Sequence, residues 1–387
     1  MFIKRLTLRK LLSFNDASVE LGPLNVLIGP NAVGKSNLIE AISLLQAAPT
    51  GFGSAILRGG GIRKWLWLGD RGPLPVAVIE CQLRLSTGLT SPLLYQLRFT
   101  EQNGGPVIVG ECLGRTQEFE YFRRSYGTAD LGRPLGIVER RKTGRTPVPI
   151  QAPESVLSQL KNPLDTTPIT QVGRHFEQMR IFREFRTGAA SPARLGISTS
   201  AAKEVLSDGG DNLALVLNKL DVANVHARIQ KYLRRFCERF EDVKVDVGEG
   251  LARILLREAG MAEMLSGIRM SDGTLKFLAL LAALFDPQPP PLVCIEEPEI
   301  GLHPDALQLV AGALVEASES TQLIVTTHSE ALVDALTGRP EAVLVCERGF
   351  DNGTEMRRLS AKALKLWLER YTLGELWRKG EIGGGRW

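Results

Sequence analysis

Cysteine is scarce and scattered in this chain: five in 387 residues, at positions 81, 112, 237, 294 and 346, with no C-x-x-C pair. The four histidines add no metal-ligand spacing, which excludes a zinc module and a disulfide framework. The thiols read instead as reduced, mostly buried groups of a cytoplasmic protein. Long apolar runs are missing as well. The longest, Phe277 to Phe285, is far short of a bilayer span, and the basic start (Lys4, Arg5, Arg9, Lys10) is followed by no apolar stretch of signal-peptide length, so no membrane partner is expected. Charge of one sign is not in excess, with 47 basic and 43 acidic residues giving a net +4. Any nucleic-acid surface must therefore be local. Sustained heptads are absent, which excludes a long coiled coil, and no internal repeat is visible. A chain of this length accommodates two domains or one large α/β unit with insertions.

What is present concentrates first at Gly29-Pro30-Asn31-Ala32-Val33-Gly34-Lys35-Ser36, a complete G-x-x-x-x-G-K-S loop. The apolar run Leu24-Asn25-Val26-Leu27-Ile28 before it predicts a buried strand. From Asn37 to Gln46, Leu38, Ile39, Ile42 and Leu45 fall at helical spacing, which completes the strand–loop–helix setting of a nucleoside triphosphate site. Each residue type has a chemical reason. Glycines at 29 and 34 let the backbone fold around phosphates, and N–H groups at the helix start point at them. Lys35 brings a point charge to the β- and γ-phosphates, and the Ser36 hydroxyl ligates magnesium. The expected ATP contacts are Gly29 through Ser36 together with Asn37.

Along the rest of the chain, Phe2 to Leu8 predicts a strand, Ser13 to Asp16 a turn, and Val19 to Leu21 a short returning strand. Val76–Leu85, Leu93–Phe99 and Val107–Leu113, separated by Ser-Thr-Gly and Asn-Gly-Gly, predict an antiparallel meander. Residues 114–170 are polar and rich in Gly, Pro and Arg, including Arg140-Arg141-Lys142-Thr143-Gly144-Arg145, and are expected to be exposed with little core. Helices are expected over 174–186 and 208–240, and a hairpin over Val243–Val247 and Leu251–Leu256. Helix and strand then alternate to Cys346, with helices at 274–285, 305–317 and 329–336 and strands at Leu292–Ile295, Leu323–Thr326 and Val343–Cys346. That alternation predicts a mostly parallel sheet wrapped by helices. The expected division is a lobe over 1–113, an irregular then helical insertion over 114–242, and a second lobe over 243–387.

A second constellation follows the same logic. Leu292-Val293-Cys294-Ile295-Glu296-Glu297 is an apolar strand ending in two carboxylates, and in parallel sheets that end faces the ligand crevice. Neighbouring strand residues point opposite ways, so Glu296 suits the magnesium shell and Glu297 suits the attacking water. Leu323-Ile324-Val325-Thr326-Thr327-His328-Ser329 ends a similar strand, with His328 placed to reach a γ-phosphate. Met270-Ser271-Asp272-Gly273-Thr274 opens a helix, where a hydroxyl, N–H groups and the helix dipole make an anion site. Of the remaining histidines, His175 and His226 lie in helical settings, and His303 serves either a subunit contact or a helix-entry turn.

In the order phosphate loop, S-D-G helix, E-E strand and histidine strand, the chain resembles the ATP-binding-cassette (ABC) ATPase heads of the RecF, SMC and overcoming-lysogenization-defect group. It is most similar to stand-alone AAA-type predicted ATPases with an I-E-E-P-E-x-G-L-H-P signature, here Ile295-Glu296-Glu297-Pro298-Glu299-Ile300-Gly301-Leu302-His303-Pro304. The matching pieces lie at 1–46 and about 243–346, with looser likeness at Ser207-Asp208-Gly209-Gly210-Asp211-Asn212 and in the tail from Leu373 to Gly384. The resemblance implies an α/β ABC head with an antiparallel β subdomain and a helical or irregular insertion. It implies an ATPase that uses ATP and Mg2+ and closes head to head as a homodimer. Lys35 and Ser36 would bind ATP in one protomer, and Ser271 and Gly273 of the other would contact its γ-phosphate. Glu297 would activate water, Glu296 would take the usual place of a metal-shell aspartate, and His328 would be the switch histidine. The helix start reads S-D-G-T where S-G-G-Q or S-G-G-E is commoner, and Gln46 and Gln82 both stand as candidates for the magnesium-sensing glutamine.

Two functions fit. One is an ATP-switched clamp coupled to DNA binding, repair or defence. Residues 161–203 hold seven basic and three acidic side chains, with Arg174, Arg180, Arg183, Arg186 and Arg194 as candidate phosphate contacts. The other is a regulatory ATPase for a separate nuclease or toxin in anti-phage defence, without DNA contact of its own. After Cys346 no D-x-D cluster suggests a metal-dependent nuclease in this chain. A transporter subunit is disfavoured by the insertion and the meander.

Overall fold

The computed structural model describes residues 1–69, 73–85, 92–116, 119–125, 127–131, 146–160, 167–202, 205–222, 225–351 and 353–384. The chain forms two compact units. One comprises Met1–Met179, Leu344–Arg358 and Ile382–Trp387, the other Arg180–Val343 and Leu359–Glu381.

The first unit begins with strands β1 (Ile3–Leu11), β2 (Phe14–Glu20) and β3 (Leu24–Ile28), then helices α1 (Lys35–Ala47) and α2 (Phe52–Arg58). Strands β4 (Ala77–Leu83), β5 (Leu93–Gln102), β6 (Gly105–Thr116), β7 (Phe119–Ser125), β8 (Thr128–Leu131) and β9 (Thr146–Pro149) follow, with helices α3 (Val156–Gln159) and α4 (Pro168–Gln178) after them. Eight of these strands make one antiparallel sheet in the order β2-β1-β4-β5-β6-β7-β8-β9. Alternation explains its core face. Ala77, Ile79, Cys81 and Leu83 of β4 and Leu93, Tyr95, Leu97 and Phe99 of β5 are buried, while the residues between them are partly exposed. Aromatic edges close the core, Phe52 on Phe99 at 5.1 Å and Tyr95 on Phe176 at 5.2 Å.

The expected meander is present and runs further than its sequence suggested. Residues expected to carry little core supply β7 to β9 and α3, with Tyr121, Phe122, Ile150, Val156 and Leu157 buried. Their apolar positions are diluted by arginine and proline, which masks the period-2 signal. The basic stretch Arg140 to Arg145 lies outside the described residues. The turn expected at Ser13–Asp16 falls earlier, at Leu12 and Ser13, because Leu12 takes φ 50 and Phe14 is already paired with Leu11.

The second unit opens with β10 (Arg180–Phe182), α5 (Pro192–Leu195) and β11 (Ile197–Ser198), then α6 (Leu213–Val222) and α7 (His226–Phe236). Next come the hairpin β12 (Phe240–Gly248) and β13 (Leu251–Glu258), the short β14 (Leu265–Ser266), α8 (Asp272–Leu284), β15 (Leu292–Glu296), α9 (Leu307–Ala317), β16 (Gln322–Thr326) and α10 (Glu330–Asp334). Strands β10, β15 and β16 are parallel neighbours in that order. From Leu275 to Leu284, α8 is buried at every position but Lys276, as expected of a helix that is apolar all round. Phe277 stacks on Phe236 at 4.5 Å. The helix expected over 174–186 is a correction. Helix α4 stops at Gln178, Met179 turns extended at ψ 150, and Arg180–Phe182 pair with Val293–Ile295. Three residues are too few for periodicity to separate strand from helix, and the ladder decides. The single helix expected over 208–240 divides into α6 and α7.

The chain returns to the first unit as β17 (Val343–Arg348) and β18 (Thr354–Arg358), an antiparallel pair with β17 next to β3. It then adds α11 (Ala361–Leu368) and α12 (Leu373–Arg378) to the second. Helix α12 starts at a capping box of Thr372 and Glu375, and its Gly374 N–H donates to Asp334 at 2.7 Å. Among the described residues the longest helices have 13 residues, so no long coiled coil is present and no helix is long and apolar enough to cross a membrane.

Candidate functional site

The phosphate loop leaves β3, which is buried at all five positions. Gly29 takes φ 149, and a side chain there would strike the Cys346 carbonyl of β17. Gly34, at φ 105, is the N-cap of α1, and a side chain there would strike the hydroxyls of Ser13 and Thr354. Only glycine meets both demands, a left-handed backbone and no room for Cβ. Ala32 also sits at φ 59, at the exposed crest of the loop beside Asn31. Lys35 is 6% exposed, and its ammonium donates to the carbonyls of Gly29 and Pro30, 2.8 Å each. No side chain caps the start of α1 and its first turn holds no acid, so the helix-start N–H groups and dipole suit an anion. Ser36 is exposed in that first turn, with Asn37 after it. These features fit a polyphosphate: a cradle lined by backbone, one held cation and one hydroxyl.

Thr354 is a residue the sequence reading missed. It is 3% exposed, donates through Oγ1 to the Val33 carbonyl at 2.6 Å, and lies 2.7 Å from Ser13 Oγ. Its N–H donates to the Ser13 carbonyl at 2.8 Å. The loop is thus held from β18 and from the β1–β2 turn. Gln46, at the end of α1, donates to the Met179 carbonyl at 2.7 Å, whereas Gln82 is a rung of the meander paired with Leu94.

In the second unit, β15 ends at Glu296 and Glu297 lies one residue beyond. Glu297 takes φ 44, and its N–H donates to the Thr326 carbonyl at 3.0 Å. Strand alternation therefore does not set its direction; a left-handed turn does. Its Oε1 lies 3.7 Å from His328 Nε2, and both side chains are about one-third exposed (35% and 36%). Glu299, unassigned from sequence, is the brace. Its Oε1 accepts from Thr327 Oγ1 at 2.8 Å and from the His328 N–H at 2.7 Å. Glu296 accepts from Arg183 Nη1 at 3.1 Å. Arg183, Glu296 and Glu297 border a cleft of about 330 Å³ that also meets Lys276 and Phe185.

Ser271 is the N-cap of α8, its Oγ accepting from the Thr274 N–H at 3.1 Å. Ser271 and Asp272 are exposed and Gly273 is half-buried. One turn on, Lys276 donates to the Ile300 carbonyl at 2.9 Å. His303 is the N-cap of a short turn and accepts from Asp305 N–H at 3.3 Å. His175 stacks on Phe2 at 5.2 Å, and His226 lies 2.5 Å from Asp242.

Three of the candidate DNA arginines have partners within the chain. Arg183 is engaged by Glu296, Arg186 by Asp211 at 2.8 Å, and Arg194, 11% exposed, by Asp272 and backbone carbonyls. Among the described residues no group of three or more His, Cys, Asp or Glu side chains makes a metal cluster.

Phosphate loop, acid-ended parallel strand and histidine-ended neighbour lie on an α/β scaffold with the fold of the ABC-type ATPase heads. The family described as "AAA domain, putative AbiEii toxin, Type IV TA system" matches residues 24–78 and 138–334, and the chain belongs to it. Forty-six residues are 52% identical to the DNA replication and repair protein RecF of Magnetococcus marinus, a likeness spanning 12% of each protein's length. In fold, the chain is similar to the Smc head bound to the C-winged helix domain of ScpA, with a TM-score of 0.59 and 14% identity over 94% of this chain and 99% of that one. It is also similar to the Smc head with an extended coiled coil bound to the C-terminal domain of ScpA from Pyrococcus furiosus (TM-score 0.55, 14% identity, 95% and 99% covered).

Proposed function

We propose that the protein hydrolyses ATP and closes head to head as a homodimer when ATP binds. The observation that carries this reading is the Glu297–His328 pair, 3.7 Å apart at the ends of two adjacent parallel strands. A carboxylate there can orient or deprotonate water, and an imidazole beside it can reach a γ-phosphate. The phosphate loop from Gly29 to Asn37 binds the nucleotide. Lys35 neutralises phosphate charge, and Ser36 and Glu296 hold Mg2+, which would offset the negative charge gathering on the transferred phosphoryl group. Ser271 and Gly273, on an exposed helix start, meet the nucleotide held by the partner protomer. Five unpaired cysteines fit a cytoplasmic setting.

What closure controls divides two readings. A DNA clamp is favoured by the RecF likeness. A regulatory ATPase acting on a separate nuclease or toxin is favoured by the structure of 180–194, where Arg183, Arg186 and Arg194 serve internal partners. Solution mass tests the common core. The Glu297→Gln variant should double in mass on adding Mg-ATP, and Lys35→Ala should neither bind ATP nor double. A Glu297→Gln protein with substantial turnover would remove Glu297 from the water-activating role. Duplex binding by the closed dimer, measured against salt, then separates clamp from regulator.

A further inference from the structure

The residues before α8 have little regular structure of their own. Gly267–Arg269 form a single 3₁₀ turn, and Met270 and Ser271 are extended at ψ 151 and 155. No strand ladder fixes Met270 to Asp272, yet these residues set where the Ser271 hydroxyl stands. One side chain spans them. Arg194, in the last turn of α5, donates from Nη1 to the carbonyls of Gly267 (3.3 Å), Ile268 (3.2 Å) and Met270 (2.6 Å). Its Nη2 donates to Asp272 Oδ1, and both Nε and Nη2 reach the Thr187 carbonyl at 3.1 Å. Backbone packs closely here as well, since a side chain at Gly267 would meet the Arg194 carbonyl at 2.9 Å.

We propose that Arg194 is the positioning residue of the S-D-G-T helix start: its guanidinium ties the carbonyls before Ser271 and the carboxylate after it into one rigid unit, and so fixes the hydroxyl and first turn that α8 presents. The proposal rests on the ATP-dimer reading for its consequence, though its geometry stands without it. A planar guanidinium offers five N–H donors on three nitrogens, so it can serve several carbonyls and a carboxylate at once. A lysine ammonium keeps the charge but concentrates its donors on one atom, so lysine should not replace it. Arg194 touches no nucleotide in this scheme. Its effect passes through the order of residues 267–274, in the way that supporting side chains hold a binding group to within a fraction of an ångström.

Amide hydrogen exchange and self-association of the full chain test this together. Arg194→Ala should raise exchange at residues 268–275 about tenfold and leave β15 and β16 unchanged, as loss of charge-assisted hydrogen bonds to one segment requires. In the Glu297→Gln background, the same substitution should weaken ATP-driven self-association about tenfold, with nucleotide affinity within about twofold of the parent. Arg194→Lys should behave like alanine. Exchange at 268–275 that stays at the wild-type rate overturns the proposal, and so does full rescue by lysine. Should Arg194→Ala fail to fold, Asp272→Asn takes its place, with faster exchange confined to the first turn of α8 expected and unchanged exchange contradicting the proposal. If the Glu297→Gln parent itself does not self-associate, the dimer reading fails and exchange alone decides the role of Arg194.

Discussion

Arg183 and Glu296 stand side by side at the carboxyl ends of two neighbouring parallel strands, with Nη1 3.1 Å from Oε1. The register makes this unavoidable: Phe182 pairs with Ile295, so the next residue of each chain segment faces the other. Glu296 is 15% exposed and Arg183 45% exposed. A pair this open contributes at most about 1 kcal/mol to stability, and its interest is electrostatic. If Glu296 serves the magnesium shell, the guanidinium competes with the cation for the same carboxylate. Arg183→Ala should then lower the Mg2+ concentration for half-maximal ATP turnover roughly two- to fivefold, with the melting midpoint nearly unchanged. A Mg2+ requirement that is equal or higher in the variant would separate Arg183 from the metal site.

Thr354 makes a prediction for the phosphate loop. Replacing it with valine keeps its shape, removes the hydroxyl bonded to the Val33 carbonyl, and leaves that carbonyl buried beside a methyl group. The cost is about 1–3 kcal/mol. Part of it falls on the loop conformation that holds ATP, so the dissociation constant measured by calorimetry should rise about three- to tenfold. An unchanged affinity would mean that the glycine geometry alone holds the loop.

Glu111 and Arg124 are both 2% exposed within the antiparallel sheet. Glu111 accepts from Ser155 Oγ (2.6 Å), the Val156 N–H (2.9 Å) and Tyr95 OH (2.9 Å), and lies 3.9 Å from Arg124. The carboxylate thereby anchors the start of α3 to β5 and β6. Glu111→Ala leaves three buried donors without their acceptor and removes the carboxylate beside the Arg124 guanidinium, which should destabilise the first unit by about 3–5 kcal/mol in urea titrations. A loss under about 1 kcal/mol would show that water enters and replaces the carboxylate.

The parts legible in the sequence are those where one local rule suffices. The phosphate loop is spelled out by its glycines and flanking apolar periods. Strand β15 is a continuous apolar run, as burial on both faces demands. The parts that escaped depend on partners far along the chain. Strand β10 has three residues and exists because β15 offers an edge. Thr354 supports the loop from 321 positions beyond Val33. Glu299 stands in plain view within the I-E-E-P-E stretch, but its brace on His328 needs the fold to bring Thr327 within 2.8 Å. The same limit explains the arginines of 180–194. Composition shows a local basic excess, whereas only the folded chain shows that Glu296, Asp211 and Asp272 already engage three of them.

The cysteines give a prediction on pH. Burial pushes the Cys346 thiol up to about 12, with nearby Lys35 pulling weakly the other way. Burial likewise drives Cys81 and Cys294 well above the ordinary thiol value, each helped by an adjacent glutamate, Glu80 and Glu296. Thiolate is the reactive form, so in the native protein at pH 8 these three buried thiols should resist alkylation. The sign for stability follows from linkage. An unfolded thiol titrates near 9.0, and the folded values lie above it, so the stabilising contribution is complete below pH 9 and is lost as pH rises toward the folded values. Urea midpoints should therefore hold between pH 7 and 8.5 and fall above about pH 9, less steeply in Cys346→Ala. Rapid alkylation of Cys346 in the native state would carry a different meaning. Its carbonyl packs against Gly29, so access to its thiol would require β17 to part from the phosphate loop, and added ATP should then slow the labelling.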